Sequence, residues 1–225
     1  MKTAVIIPAA GSSSRMGVTK QLMDLKGKPV LIHTIEAFEK HEEVDEIIIC
    51  TSKEIAEVIA PYNFKKIKAI VPGGASRQDS VRIALDALGM DDYYVLIHDG
   101  ARPLISQKVI SDVLDCVRRG ECATSGVISK DTIKITDSHG IVKDTPPREH
   151  AWLVQTPQGF PSRIIKKAHN LAKAEDFVGT DDAMLVERLG VSLRIIEGEY
   201  SNIKLTTPED MQLAEILLHK RGIVK

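Results

Sequence analysis

The sequence predicts an α/β fold: a mostly parallel, twisted sheet of the Rossmann-like kind, flanked by helices, with a protruding β-hairpin arm. Three observations carry this reading. Short apolar runs recur at Ala4–Ile7, Glu46–Thr51, Ile67–Val71, Tyr93–His98 and Ala123–Ile128, each long enough for a strand buried on both faces. The segments between these runs mostly carry helical periodicity and span about ten residues or more, as crossovers between parallel strands require. The stretch 131–148 then departs from the alternation, with two strand-like runs joined by a turn-rich tetrad.

In order, Pro29–His41 reads as a helix on Val30, Ile32, Ile35, Ala37 and Phe38, and a short helix at Glu54–Ile59 closes at Pro61. Ser76 with Asp79 three residues on has the spacing of a capping box, and Val81, Ala84, Leu85 and Leu88 form the apolar stripe behind it. Another helix is expected from Gln107 to Arg119. In the arm, Thr132–Thr136 and Ile141–Lys143 flank Asp137-Ser138-His139-Gly140. An isolated hairpin is marginal in water, so the arm should rest on its own domain or on a second subunit. Trp152–Gln155 returns as a strand, a helix begins near Pro161, and Thr180 caps a helix through Leu189. Val191–Ile196 is the last strand. Thr207 caps the final helix, with Pro208 in its first turn and Leu213, Ala214, Ile216, Leu217 and Leu218 as its apolar positions. No repeat or linker interrupts residues 1–225, which read as a single domain including the arm.

The bulk properties exclude several classes. With 225 residues, 43% hydrophobic and 27% charged, the chain has ordinary globular composition and can bury a sizeable core. A formal net charge of −1 gives no footprint for nucleic acid or an anionic membrane. No apolar run approaches the roughly 18 residues of a membrane span, and the start lacks a signal-peptide pattern. Cys50, Cys116 and Cys122 have neither C-x-x-C spacing nor an even count, and Cys50 lies in a strand run where it reads as core packing. These features predict a cytoplasmic protein with no structural metal.

Chemistry is expected at the loop after the first strand. Pro8-Ala9-Ala10-Gly11-Ser12-Ser13-Ser14 is a run of small residues, followed by Arg15 and Lys20. Small residues let backbone N–H groups approach a ligand, and cations beyond such a loop suit a polyphosphate. It is no P-loop, since neither Gly11 nor Gly17 is followed by Lys-Ser/Thr. It is no dinucleotide fingerprint either, since Ser13 stands at the second glycine position. Five loops should gather at the carboxyl edge of the sheet: Pro8–Lys20, Pro72–Ser80, Asp99–Pro103, Thr156–Gly159 and Asn202–Thr206. They bring Arg15, Lys20, Arg77, Arg102 and Lys204 around the carboxylate of Asp99, a polyanion site with a place for Mg²⁺. No nucleophile–base pair is evident: Ser12–Ser14 have no candidate base, and His98 reads as a satisfied strand-end histidine. Phosphoryl or nucleotidyl transfer needs mainly positioning and positive charge, and fits.

The motifs PAAGSSSRMG…KQ, GGASRQDSV, HDGARP, KDTI, TPQGF and NIKLTTPED stand in order from residue 8 to residue 210. Together they resemble the 2-C-methyl-D-erythritol 4-phosphate cytidylyltransferases of the non-mevalonate isoprenoid pathway. The resemblance implies CTP and methylerythritol phosphate as substrates, CDP-methylerythritol and pyrophosphate as products, Mg²⁺ as cofactor, and a homodimer. On the matching positions it implies that Pro8, Ala9, Ala10 and Gly11 hold the nucleotide and that Gly74 and Ser80 form the cytosine pocket. It likewise implies that Arg15 and Lys20 stabilise the transition state, that Asp99 lies by the metal, that Asp99, Arg102, Thr132 and Thr156 bind the acceptor, and that Arg148 and Lys204 orient it. Thr132 and Arg148 fall on the arm, which in the family crosses to the partner subunit. The related ribitol-phosphate cytidylyltransferases share much of this set, but PAAG and HDGARP favour the methylerythritol reading. A non-catalytic nucleotide-binding module would not need Asp99 together with Lys20 and Lys204.

Overall fold

The computed structural model describes residues 1–11, 19–89 and 92–220. Strand β1 (Lys2–Pro8) leads, past a short 3-10 turn at Lys20–Leu22, to a small hairpin of β2 (Asp24–Leu25) and β3 (Lys28–Pro29) and then to α1 (Val30–Glu39). Next come β4 (Glu46–Thr51), α2 (Lys53–Ile59), β5 (Ile67–Pro72), α3 (Arg77–Ala87), β6 (Tyr93–Ile97), α4 (Gln107–Arg118) and β7 (Cys122–Ile128). The arm holds β8 (Ile135–Thr136) and β9 (Val142–Asp144). The chain ends with β10 (Trp152–Pro161), α5 (Ser162–Ala174), α6 (Asp182–Glu187), β11 (Leu193–Glu197) and α7 (Pro208–Lys220).

Seven strands form one sheet in the order β11-β7-β10-β6-β1-β4-β5. All neighbours are parallel except at β10, which runs antiparallel to both β6 and β7. The mostly parallel sheet is therefore present as expected. Its apolar runs are continuous because both faces are covered. Val5, Ile7, Ile47 and Ile49 pack beneath α1 and α4, while Ala4, Ile6, Ile48 and Cys50 pack beneath α3 and α5. A third cluster seats α7 on the small hairpin through Leu25, Val30, Leu205, Met211, Ala214 and Leu218. On α7, Leu213 and Ile216 face outward, against expectation. Burial pushes the Cys50 thiol up to about 12, which leaves it an inert core residue.

Two local expectations need correction, and one element carries no signal in the sequence. Thr156–Gly159 is not a strand-end loop but the middle of β10, where the register shifts between Val154 and Gln158. Such a bulge lets a strand carry a proline and re-aims its side chains. The cap of α6 is Asp181, whose carboxylate accepts the Met184 N–H, and not Thr180. The β2–β3 hairpin has only two residues per strand and falls below any periodic signal.

The two capping boxes behave as their spacing requires. Ser76 Oγ accepts the Asp79 N–H at 3.0 Å and donates to the Asp79 carboxylate at 2.8 Å. Asp210 accepts the N–H groups of Thr206 and Thr207, and its own N–H reaches Thr207 Oγ1.

Candidate active site

Asp99 lies two residues past the end of β6, whose neighbours in the sheet are β1 and β10. The turn that carries it is pinned to both flanks: Gly100 N–H donates to Pro8 O, and Leu205 N–H donates to Ala101 O. Gly100 lies so close to the first loop that a Cβ there would stand 3.2 Å from Ala9 Cβ and 3.0 Å from Leu31. Backbone contact thus fixes the carboxylate relative to the phosphate-loop candidate.

Cations surround Asp99. Arg77 Nε donates to its Oδ1 at 3.0 Å, Lys204 Nζ to its Oδ2 at 2.8 Å, and Arg102 Nε stands 3.8 Å from Oδ2. Burial alone would raise the Asp99 pKa, but Arg77, Lys204 and Arg102 outweigh it and hold the carboxyl well below the usual carboxylate range. Arg77 in turn stays charged, since Asp182 and Asp99 together outweigh its own burial.

Beneath this cage lies a second layer. The Asp99 N–H donates to Thr156 Oγ1 at 3.0 Å, and Thr156 Oγ1 meets His98 Nδ1 at 3.1 Å. His98 Nε2 reaches the Arg102 carbonyl at 3.0 Å. A carbonyl only accepts, so Nε2 carries the proton and Thr156 donates to Nδ1. Arg102 Nη1 donates to Asn202 O, and Asn202 Nδ2 donates to Thr156 O. The Thr156–His98 contact therefore braces the Asp99 turn. It is no nucleophile pair, because both residues are buried and burial pushes His98 down to about 4, too weak a base for the task.

That shift has a thermodynamic consequence. The unfolded chain protonates this histidine near 6.5, whereas the folded one does not until about 4. The stabilisation is thus complete above 6.5 and is lost as pH falls towards 4. His98→Gln is expected to flatten this acid limb by up to about 1.4 kcal/mol per pH unit, leaving the smaller slopes of His33 and His41, which burial also lowers. Urea unfolding at a series of pH values checks this; an unchanged slope contradicts it.

The other wall is built by the start of α3. Ser80 Oγ donates to Ser76 O at 2.9 Å and accepts the Gly74 N–H at 3.0 Å. A Cβ on Gly74 would stand 2.4 Å from Asp79 Cβ, so only glycine lets this strand end lie against the helix. Across from it, Gln21 Nε2 donates to Gly11 O at 3.4 Å. These surfaces enclose a cavity of about 500 Å³, large enough for a nucleotide.

Of the expected site residues, Pro8, Ala10, Gly11, Lys20, Gly74, Ser80, Asp99 and Lys204 line this one cavity. Ala9 is buried and donates its N–H to Cys50 O; Arg102 pairs with Asp99; Thr156 lies under it. Arg15 falls outside the described residues. Thr132 and Arg148 are exposed on the arm, 3.4 Å apart, and do not line the cavity. Arg77 lines it as well, bridging Asp99 to Asp182. The sequence counts Arg77 as a cation without giving it a role, places Asn202 only at the head of its loop, and carries no signal for Asp182 or His169.

The comparisons with known proteins decide the family. The family model for 2-C-methyl-D-erythritol 4-phosphate cytidylyltransferase (IspD) matches residues 3–220. The chain belongs to this cytidylyltransferase family. It is 46% identical to the 2-C-methyl-D-erythritol 4-phosphate cytidylyltransferase of Geotalea uraniireducens, with 97% of each chain covered. The crystal structure of 4-diphosphocytidyl-2C-methyl-D-erythritol synthase from Anaerococcus prevotii superposes with a TM-score of 0.87 at 32% identity, covering 97% of this chain and 96% of that one. The Francisella tularensis 2-C-methyl-D-erythritol 4-phosphate cytidylyltransferase gives 0.83 at 30% identity, covering 96% and 99%.

For a cytidylyltransferase the donor set of the cavity is telling. Among the described residues no group of three or more His, Cys, Asp or Glu side chains is placed to hold a metal ion. Asp99 is the carboxylate on the described cavity wall, and its two oxygens have lone pairs beyond those taken by Arg77 and Lys204. A carboxylate oxygen is a donor that a hard divalent cation accepts, so Asp99 is the described residue that would hold one.

Proposed function

We propose that this chain transfers a cytidylyl group from CTP to 2-C-methyl-D-erythritol 4-phosphate, giving CDP-methylerythritol and pyrophosphate. The observation that carries it is the cavity that Lys20, Arg77 and Lys204 line together with Asp99, Gly74 and Ser80. A phosphate oxygen of the acceptor attacks the α-phosphorus of CTP, the bond to the β-phosphate breaks, and pyrophosphate leaves. Negative charge concentrates between two anionic reactants, and fixed cations favour that arrangement over either reactant alone. Lys20 and Arg15 are assigned to the α-phosphate; Lys204, Arg102 and Asp99 to the acceptor side. Mg²⁺, held by Asp99 and the phosphates, would neutralise charge on the triphosphate. Gly74 and Ser80, with Pro8–Gly11, are assigned to the base and phosphates. Hydrogen-bonding groups in a closed pocket discriminate cytosine from uracil strongly.

The arm is read as a dimer contact. Ile135, Ile141 and Val142 are all more than two-fifths exposed on it, apolar surface that a second subunit would cover. Arg148 and Thr132 would then serve the partner's cavity. Arg148→Ala and Lys20→Ala chains, each inactive alone, are expected to regain activity when mixed, one intact site forming per mixed dimer. Mixed dimers that form without activity would place Arg148 in the cavity of its own chain. The chain is read as one nucleotidyltransferase unit. Its free, buried Cys50, Cys116 and Cys122 suit the cytoplasm, and no described helix is long and apolar enough to cross a membrane.

The function is tested by following pyrophosphate release with CTP and Mg²⁺ while the acceptor is varied. Release with methylerythritol phosphate, and little with ribitol 5-phosphate, is expected. Equal release with both, or release with neither, contradicts the reading.

A further inference from the structure

Arg77 is held from two sides. Its Nε faces the cavity carboxylate Asp99, and its Nη1 donates to Asp182 Oδ2 at 2.7 Å. Asp182 is the first residue of α6 and has no exposed surface. Its second oxygen meets Nε2 of His169, on α5, at 3.0 Å, and His169 is only 1% exposed. Its backbone is fixed as well: the N–H groups of Asp182 and Ala183 both donate to Gln158 Oε1 at 3.1 Å. Gln158, in β10, donates through Nε2 to the Asp181 carboxylate and to Thr124 Oγ1. An unbroken chain of charge-assisted contacts thus runs His169–Asp182–Arg77–Asp99–Lys204.

An apolar contact between α3, α5 and α6 would join these helices without burying a carboxylate, whose desolvation costs several kcal/mol. What the carboxylate adds is control over Arg77. Arg77, Arg102 and Lys204 stand against Asp99 and Asp182, three positive charges to two negative. Without Asp182 the ratio is three to one, and the guanidinium has one carboxylate to grip instead of two. It would then be free to turn towards a bound triphosphate, drawing Asp99 away from Lys204.

We propose that Asp182 and His169 are positioning residues for the cytidylyl transfer: they clamp Arg77 so that it fixes Asp99 against Lys204 rather than binding nucleotide itself. This rests on the assignment of Asp99 and Lys204 to the active site. His169 Nε2 donates to Asp182, since an ionised carboxylate only accepts. Burial would raise the Asp182 pKa, but Arg77 and then His169 outweigh it and keep the carboxyl ionised.

The clamp predicts a split between binding and turnover. Asp182→Asn should lower kcat about tenfold while KM for CTP stays level or falls, because ground-state attraction for the triphosphate grows as its alignment worsens. At position 169 only the donor matters. His169→Gln keeps an N–H for Asp182 and should hold kcat within about twofold of wild type, whereas His169→Leu should lose about tenfold. Melting temperatures and the folded fraction of each variant are measured alongside, with kcat expressed per folded chain. A purely structural contact predicts lower melting temperatures with unchanged kcat in all three, and that result overturns the proposal. So does an equal loss in both His169 variants, or a raised KM for CTP in Asp182→Asn. Should Asp182→Asn fail to fold, the His169 pair decides. Wild-type chain run in parallel separates the two claims: no turnover there contradicts the cytidylyl-transfer reading and this one with it. Wild-type turnover with unaltered variants contradicts the positioning role alone.

Discussion

Lys20→Ala is expected to lower kcat about 100-fold or more, as for the loss of a fixed electrostatic stabiliser. The position explains why. Lys20 opens the short turn Lys20–Leu22, which is closed by the Leu22 N–H donating to Thr19 O, and the adjacent Gln21 ties that turn to Gly11. Lys20 is therefore carried on backbone tied to Gly11, and both line the cavity that Asp99 also lines. A charge that acts on the reacting α-phosphate stabilises the transition state more than bound CTP, so KM should move only a few-fold. Lys20→Arg, which keeps the charge but not its compact geometry, should recover part of the loss. Steady-state kinetics in both substrates read these effects. Wild-type turnover in Lys20→Ala removes it from the reaction.

Gly73→Ala is expected to raise KM for CTP about tenfold or more and to cost about 1–3 kcal/mol of stability, the range for forcing an extra carbon into a packed contact. A Cβ at Gly73 would lie 2.0 Å from Ala10 Cβ, and both backbones are held. Gly73 N–H donates to Thr51 O, Ala9 N–H donates to Cys50 O, and Ala9 O accepts from Thr51 Oγ1. Relief must come by moving Ala10 and Gly11, which line the cavity assigned to CTP. The clash is with a single atom, so it has a specific remedy. With Ala10→Gly also present, the nearest remaining atoms, Ala10 Cα and Ser80 Oγ, stand at 3.5 Å, an ordinary contact. The double variant should recover most of the loss in both KM and melting temperature. A Gly73→Ala enzyme with unaltered KM contradicts the placement of CTP against this wall.

Much of the fold was legible because buried parallel strands write themselves as unbroken apolar runs. Ala4–Ile7 and Ile47–Cys50 feed alternate side chains into the two core layers, and no other simple arrangement buries every one of them. Caps were legible wherever a hydroxyl and a carboxylate stood three apart, as at Ser76 and Thr207. Thr156–Gly159 misled for a physical reason. Pro157 and Gly159 are turn residues by composition, yet here the proline sits at a bulge. Gly159 is small because Val113 and Val117 of α4 press on it, where a Cβ would stand 2.7 and 2.5 Å away. A requirement imposed by a packed helix leaves the same letter in the sequence as one imposed by a turn.

The site divides along the same line. Apart from Thr156–Gly159, the loops at strand ends could be listed from the alternation, and Asp99 stood out as the carboxylate among their cations. The clamp on Arg77 could not be read in this way. Asp182 lies 105 residues from Arg77 and 13 from His169, and in the string Thr180-Asp181-Asp182 it looks like one more helix-start acid. Only the fold of β10, α5 and α6 about α3 brings these groups together.

In the proposed reaction the acceptor phosphate displaces pyrophosphate directly at the α-phosphorus, in a cage of fixed charges and with no covalent enzyme intermediate. Ser76 is the hydroxyl on the cavity wall nearest to an alternative, since it donates to Asp79, but both its donor and an acceptor site are occupied in the cap of α3. The configuration of the α-phosphorus tests this directly, using CTP with sulfur on that phosphorus in one configuration. A single in-line attack gives a product of inverted configuration. Net retention would mean two successive displacements through a nucleotidylated side chain, and would contradict the account.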